Sequence, residues 1–205
     1  MSGSHATFPL NAETSIPAVG FGTYLISNED AERAIRAAAR GESLLENCAR
    51  EPEVVQLGEA LVTAGARIEG LGTRTLQVQG VASLAPLAAT VIPDSIEAGT
   101  FLAAAAVAGG KVRLAGCRSD HLAPIIGVLR DLGCTIGEEG DLLVVERTGP
   151  LQPVKVETQP FPGFPTDMQA QVMAASAVAG GTSFITETIY LDRFTHVAEL
   201  QRLRA

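Results

Sequence analysis

The pentapeptide Ala106-Val-Ala-Gly-Gly110 returns as Ala177-Val-Ala-Gly-Gly181. Each copy closes a predicted helix: residues 96–108 carry Ala, Leu and Val with no breaker after Gly99, residues 167–179 do the same, and the paired glycines supply left-handed C-caps. A short β-branched or apolar strand should follow each copy, at 111–114 and at 182–186. The copies stay in step beyond that point. Asp120, His121, Ile125, Val128, Leu129 and Leu132 mark a second amphipathic helix stopped by Gly133, and His196, Leu200 and Leu203 begin its counterpart.

That second helix has a relative upstream. Pro52 suits a first helical turn, Val54, Leu57, Leu61 and Ala64 follow helical spacing, and Gly65 ends the run. Strands at 66–69 and 75–79, joined through Gly70-Leu-Gly-Thr73, match those expected at 134–137 and 142–146 around a turn at 138–141. The unit is therefore strand, helix, strand, helix, strand, strand, recurring at about 70 residues. Counted this way, the chain holds the tail of one unit, all of a second, and a third that stops at Ala205 inside its last helix. A truncated protein is expected, with an apolar edge open to self-association where two strands are missing.

Composition narrows the classes of partner. Fifteen Lys and Arg against 23 Asp and Glu leave a net charge of −8, which gives no basic field for nucleic acid or an anionic membrane. With 46% hydrophobic residues the chain can bury a core, yet its longest apolar stretch, residues 98–108, is too short to span a bilayer. Cys48, Cys117 and Cys134 are odd in number, far apart and form no CxxC, which predicts free thiols, no metal centre and a cytoplasmic location.

The first forty residues differ in kind. Residues 8–17 alternate like a small hairpin, residues 18–25 read as a glycine-punctuated strand, and Ser27-Asn-Glu-Asp30 is a capping box opening a helix to Arg40. This segment, with Ile16-Pro-Ala-Val-Gly-Phe-Gly-Thr-Tyr24, resembles the opening of the aldo-keto reductases, where the Gly22-Thr23 region would lie near a nicotinamide cofactor. No later segment supplies that family's catalytic Asp, Tyr, Lys and His, and one βα unit cannot close an eight-stranded barrel.

Residues 41–205 resemble a different family. Glu46-Asn-Cys-Ala-Arg-Glu-Pro-Glu53, Ile92-Pro-Asp-Ser-Ile-Glu-Ala-Gly-Thr100, Phe164-Pro-Thr-Asp-Met-Gln-Ala-Gln171 and Ile185-Thr-Glu-Thr-Ile189 are similar in order and spacing to UDP-N-acetylglucosamine enolpyruvyl transferases. The third motif separates them from their shikimate-pathway relative. The resemblance implies an α/β (α+β) fold, an inside-out α/β barrel of βαβαββ units, here incomplete. It also implies three segments: 1–40 reductase-like, 41–92 the end of a first transferase domain, and 93–205 part of a second. A junction between unrelated pieces near Arg40 and Gly41 is the simplest account.

That family transfers the enolpyruvyl group of phosphoenolpyruvate to the 3-hydroxyl of UDP-N-acetylglucosamine, releasing phosphate, in the first committed step of peptidoglycan synthesis. No cofactor or metal is implied. The chemistry needs an acceptor or base at the hydroxyl, an acid for the enol carbon and cations for two anionic groups. By resemblance Asp167 takes the first role, and helix N-terminal amides are expected to hold its carboxylate; otherwise it is an ordinary N-cap. Ile189 matches a position that contacts the nucleotide sugar through its backbone. Arg193 could serve the same site, although beside Asp192 it also reads as a surface ion pair. Arg50, Glu51 and Asp94 occupy matched motifs of second rank, and Ser95 stands where the family has arginine.

Gly133-Cys-Thr-Ile-Gly137 imitates the family's catalytic-cysteine string but lacks the arginine that follows it there. It runs instead into Glu138 and Glu139, which should raise the thiol pKa. Cys134 is expected to be a buried strand residue, and His121 and His196 to be helix-start packing residues. Three readings stand: a transferase chain lacking the catalytic Cys loop and inactive alone, an NADP-dependent reductase fragment, and a non-enzymatic partner of an intact transferase.

Overall fold

The computed structural model describes residues 41–203 together with the backbone of two short strands before them. The chain divides into two compact units, Met1–Val91 and Ile92–Ala205.

In the first unit, β1 (Thr7–Pro9) and β2 (Ser15–Pro17) pair antiparallel with Phe8 opposite Ile16, where the hairpin was expected. The strand and capping-box helix expected over 18–40 lie outside the described residues. β3 (Glu42–Glu46), α1 (Pro52–Thr63), β4 (Arg67–Glu69) and β5 (Thr75–Gln79) follow, and the strands form an antiparallel sheet in the order β3-β5-β4. β3 escapes a sequence reading because Leu44 and Leu45 are adjacent rather than alternating. The backbone ladder to β5 makes it a strand.

The second unit starts with α2 (Ser95–Ala108), followed by β6 (Gly110–Ala115), a 3₁₀ turn Ser119–Leu122, α3 (Ala123–Asp131), β7 (Thr135–Glu139) and β8 (Leu142–Arg147). These strands form an antiparallel sheet in the order β6-β8-β7, the same arrangement as β3-β5-β4. The repeat extends to single bonds. Gly65 and Gly133 both take φ +102°, Gly65 and Gly133 donate to Val62 and Arg130 at 2.9 Å, and Ala66 and Cys134 donate to Leu61 and Leu129 at 2.9 and 3.0 Å. Each helix thus ends in the same pair of wrapped-back bonds, which needs a residue tolerant of positive φ.

A third run, β9 (Lys155–Glu157), a 3₁₀ turn Thr166–Met168, α4 (Gln169–Ala177), β10 (Phe184–Thr186) and α5 (Thr195–Arg202), places β9 and β10 side by side in parallel with α4 as the crossover. The paired glycines do not cap both helices as expected. α2 does run to Ala108, and Arg147 Nη2 donates to the Val107 carbonyl at its end; a Cβ on Gly109 would lie 2.8 Å from that same nitrogen. α4 instead stops at Ala177, before its glycines. Val178 and Ala179 donate to Ala175 and Ser176, tightening the last turn, and Gly180 donates to Leu151, leading the chain away.

α2 is apolar nearly all round and therefore sits centrally, against β6 and β8 and between α3 and α4. Leu102, Leu122, Ile125, Leu129, Val145, Met168 and Val172 are fully buried around it. Fully burying such a side chain stabilises by about 1.5–3 kcal/mol, well above an exposed ion pair, so this core fixes the platform for the third run. Among the described residues no helix is long and apolar enough to cross a membrane.

Candidate functional site

Glu187, just beyond β10, is 7% exposed and accepts five hydrogen bonds. On Oε1 it takes Thr158 Oγ1 at 2.8 Å and the amides of Ile189 and Tyr190 at 2.9 Å each; on Oε2 it takes Thr166 Oγ1 at 2.9 Å and Gln169 Nε2 at 3.2 Å. Burial pushes the Glu187 carboxyl up, but the Tyr190 and Ile189 amides and the Thr158 and Thr166 hydroxyls outweigh it and hold it below the usual glutamate range. A buried carboxylate persists only when paired or saturated with donors, and here the donors come from three separate segments. Glu187 ties the end of β9, the turn before α4 and the loop after β10 to one another.

The motif Phe164-Pro-Thr-Asp-Met-Gln-Ala-Gln171 can then be read residue by residue. Phe164 and Met168 are core residues, and Met168 packs where a Cβ on Gly99 would lie 2.9 Å from its sulfur. Thr166 and Gln169 reach Glu187, while Gln171 Nε2 donates to Thr100 Oγ1 of α2 at 3.0 Å. Only Asp167 points away from this scaffold, its side chain 56% exposed. Its Oδ1 lies 2.6 Å from Arg193 Nη1, and Oδ2 makes no hydrogen bond or ion pair among the described residues.

The expectation that helix amides would hold Asp167 is corrected: no side chain caps α4 or the 3₁₀ turn before it, and Arg193 takes that part. Arg193 is correspondingly paired with Asp167 rather than with Asp192. Its Nη1 also donates to Thr166 Oγ1 at 3.2 Å, and the guanidinium carbon stands 5.8 Å from the centre of the Tyr190 ring. An ion pair this exposed contributes roughly 0–1 kcal/mol to stability, so its consequence is placement: Arg193 sits on one carboxylate oxygen of a half-exposed side chain.

The remaining candidates divide. Ile189 is 40% exposed beside this cluster, with its amide already given to Glu187. Asp94 spends its carboxylate on its own helix, Oδ1 accepting from the amides of Ile96 and Glu97 at 2.8 and 3.0 Å. Arg50 and Glu51 belong to the first unit, just before α1; Glu51 is the N-cap residue of that helix but makes no side-chain cap bond. Glu187 is the residue that sequence reasoning missed.

Cys134 is 5% exposed and immediately precedes β7. Burial, not Glu138 or Glu139, pushes its thiol up, against the opposing charge of Arg147. His121 lies in the 3₁₀ turn before α3 and His196 in the first turn of α5, each with a buried ring nitrogen lacking a hydrogen-bond partner. No group of three or more metal-ligating side chains occurs among the described residues.

Comparisons with known proteins bear on this arrangement. Residues 26–205 match the family model described as EPSP synthase (3-phosphoshikimate 1-carboxyvinyltransferase), so the match begins inside the segment expected to be reductase-like. The UDP-N-acetylglucosamine 1-carboxyvinyltransferase of Anaeromyxobacter sp. (strain K) is 53% identical over 170 residues, 82% of this chain and 40% of that protein. The protein of the same name from Myxococcus xanthus (strain DK1622) is 44% identical over 187 residues, 91% of this chain and 44% of its own length. Among solved structures, the enolpyruvyl transferase NikO from Streptomyces tendae superposes with a TM-score of 0.72 at 29% identity, covering 82% of this chain and 41% of that one. The chain spans about 40% of the length of the curated relatives it matches.

Proposed function

Because the chain belongs to the EPSP synthase family and has the enolpyruvyl transferase fold, we infer that it carries the acceptor-hydroxyl side of an enolpyruvyl transfer whose acceptor is UDP-N-acetylglucosamine. The acceptor is inferred from relatives about half identical in sequence that bear that name. The observation that carries the chemistry is the Asp167–Arg193 pair. A carboxylate with one oxygen on a guanidinium and the other open can receive a sugar hydroxyl on the open side, orient it, and take its proton as the hydroxyl oxygen bonds to the enolpyruvyl carbon. Ile189 borders the same surface, and with its amide engaged any backbone contact to the nucleotide sugar runs through its carbonyl oxygen.

A carboxylate base supplies about 10² to 10⁴ in rate, while enzymes reach 10⁶ or more, so this site by itself accounts for a minority of the acceleration. Cys134, in the string that imitates the family's catalytic-cysteine motif, is buried with its thiol pushed up, which supports reading it as a core residue and not as that cysteine. The chain alone should bind the nucleotide sugar weakly and release no phosphate from phosphoenolpyruvate above background.

The test is a titration of UDP-N-acetylglucosamine into the chain followed by amide NMR. Shifts should concentrate at residues 166–169 and 187–194 and disappear in Asp167→Asn. Shifts that survive the substitution, or none at millimolar ligand, would overturn the assignment of Asp167.

A further inference from the structure

We propose that Glu187 and Thr166 are positioning residues that aim Asp167 at its acceptor through a hydrogen-bond relay of fixed direction, Thr166 to Glu187 and Arg193 to Thr166. The proposal deepens the reading of Asp167 given above and rests on it. A threonine hydroxyl has one proton and two lone pairs, so where the proton goes decides what the oxygen can do. Thr166 Oγ1 lies 2.9 Å from Glu187 Oε2 and 3.2 Å from Arg193 Nη1. An ionised carboxylate only accepts and a guanidinium only donates. The Thr166 proton must therefore point to Glu187, which turns a lone pair of its oxygen toward Arg193. The same Nη1 lies 2.6 Å from Asp167 Oδ1.

Two features make Glu187 suited to this task. It is held by four other donors besides Thr166, among them the Ile189 and Tyr190 amides, so it cannot swing to follow a rotating hydroxyl. It also anchors the loop that leads to Arg193, so both ends of the relay refer to one buried point. A long, 39%-exposed arginine side chain would otherwise sample many rotamers, a freedom that must be given up when it is fixed. The relay removes much of that freedom before substrate arrives.

Three variants test this in the intact chain. Thr166→Val keeps the shape and deletes the relay, Thr166→Ser restores the hydroxyl, and Glu187→Gln replaces one acceptor oxygen by an amide that must donate, so that the Thr166 proton loses the acceptor that fixes its direction. Losing a hydrogen bond to a charged group predicts about tenfold weaker binding of UDP-N-acetylglucosamine for Thr166→Val and Glu187→Gln, and a change within about twofold for Thr166→Ser. Crystal structures of the first two should show Arg193 withdrawn from Asp167. Thr166→Val that binds like the wild type, or that keeps the Arg193–Asp167 contact, overturns the relay while leaving Asp167 in place as long as Asp167→Asn still weakens binding. Should the wild type not bind the nucleotide sugar, the acceptor reading fails, and the crystal structures alone decide the relay: a retained contact refutes it and a lost one supports it. If Glu187→Gln does not fold, the Val and Ser pair carries the decision.

Discussion

Replacing Thr158 by valine should destabilise the second unit more than replacing it by serine, although valine conserves volume and serine does not. Thr158 is fully buried; its Oγ1 donates to Glu187 Oε1 and accepts from the Thr188 amide, both at 2.8 Å. Valine removes both bonds. The lost bond to a charged acceptor costs about 1.5–3 kcal/mol, and the stranded Thr188 amide, partly buried, about 1 more. The extra buried methyl returns about 1 kcal/mol, leaving a net loss of roughly 1.5–3 kcal/mol. Serine keeps both bonds and forfeits one methyl, about 1 kcal/mol. Urea unfolding followed by circular dichroism reads the difference: with an m-value of about 2 kcal/mol/M, Thr158→Val should lower the midpoint by about 0.8–1.5 M and Thr158→Ser by about 0.5 M. A valine variant as stable as the serine variant would show that Glu187 does not depend on this hydroxyl and that the buried network is incidental to packing.

Gly65→Ala and Gly133→Ala should each cost about 1 kcal/mol and by similar amounts, because both sit at φ +102° with no atom closer than 3.6 Å to the added Cβ; unequal losses by denaturation would mean that the two helix ends are not the same device. Cys134 should resist a thiol reagent under native conditions while Cys48 and Cys117, half-buried, react first, and rapid labelling of Cys134 would reopen its catalytic role. Glu187 has a folded pKa below its unfolded value of about 4.3, so its contribution to stability is complete above that value and lost as pH falls through the folded one. The unfolding midpoint should therefore stay level from pH 7 to about 5 and fall below about 4, and Glu187→Gln should remove part of that acid dependence; an unchanged acid slope in the variant would contradict it.

What the sequence disclosed was the repeat, because helix periodicity and glycine stops survive without knowledge of neighbours. The helix ending at Gly133 and the strands after it lie where spacing put them, to within a few residues. β3 was hidden because strand pairing, not alternation, makes it a strand. The early end of α4 was hidden because the Gly180–Leu151 bond joins segments distant in sequence. The site divides in the same way. Asp167 and Arg193 were visible through motif resemblance, but their 2.6 Å contact was not, since twenty-odd residues and a strand intervene. Glu187 was invisible as an organiser because its five donors come from three segments, and no local pattern announces a convergence of that kind.

The two copies of the repeat differ at the start of this helix. α2 opens on Asp94, whose carboxylate folds back onto the Ile96 and Glu97 amides; this is the ordinary use of an aspartate at a helix start, worth about 1 kcal/mol. α4 opens without any side-chain cap, and the nearby Asp167 faces away to Arg193. A carboxylate that caps a helix has its oxygen committed to backbone amides, so it cannot also receive a hydroxyl from outside. The third run gives up the cap and inserts a 3₁₀ turn, Thr166–Met168, between the chain entering from Phe164 and the α-helix proper. That turn faces two ways: Met168 goes into the core against α2, and Asp167 goes out. The stability forgone at the cap is small against the burial of Met168 and Val172 in the same stretch, about 1.5–3 kcal/mol for each side chain. The fold can thus leave one helix end uncapped while its core holds the turn in place, and the departure from the repeat falls on the residue proposed to meet the acceptor.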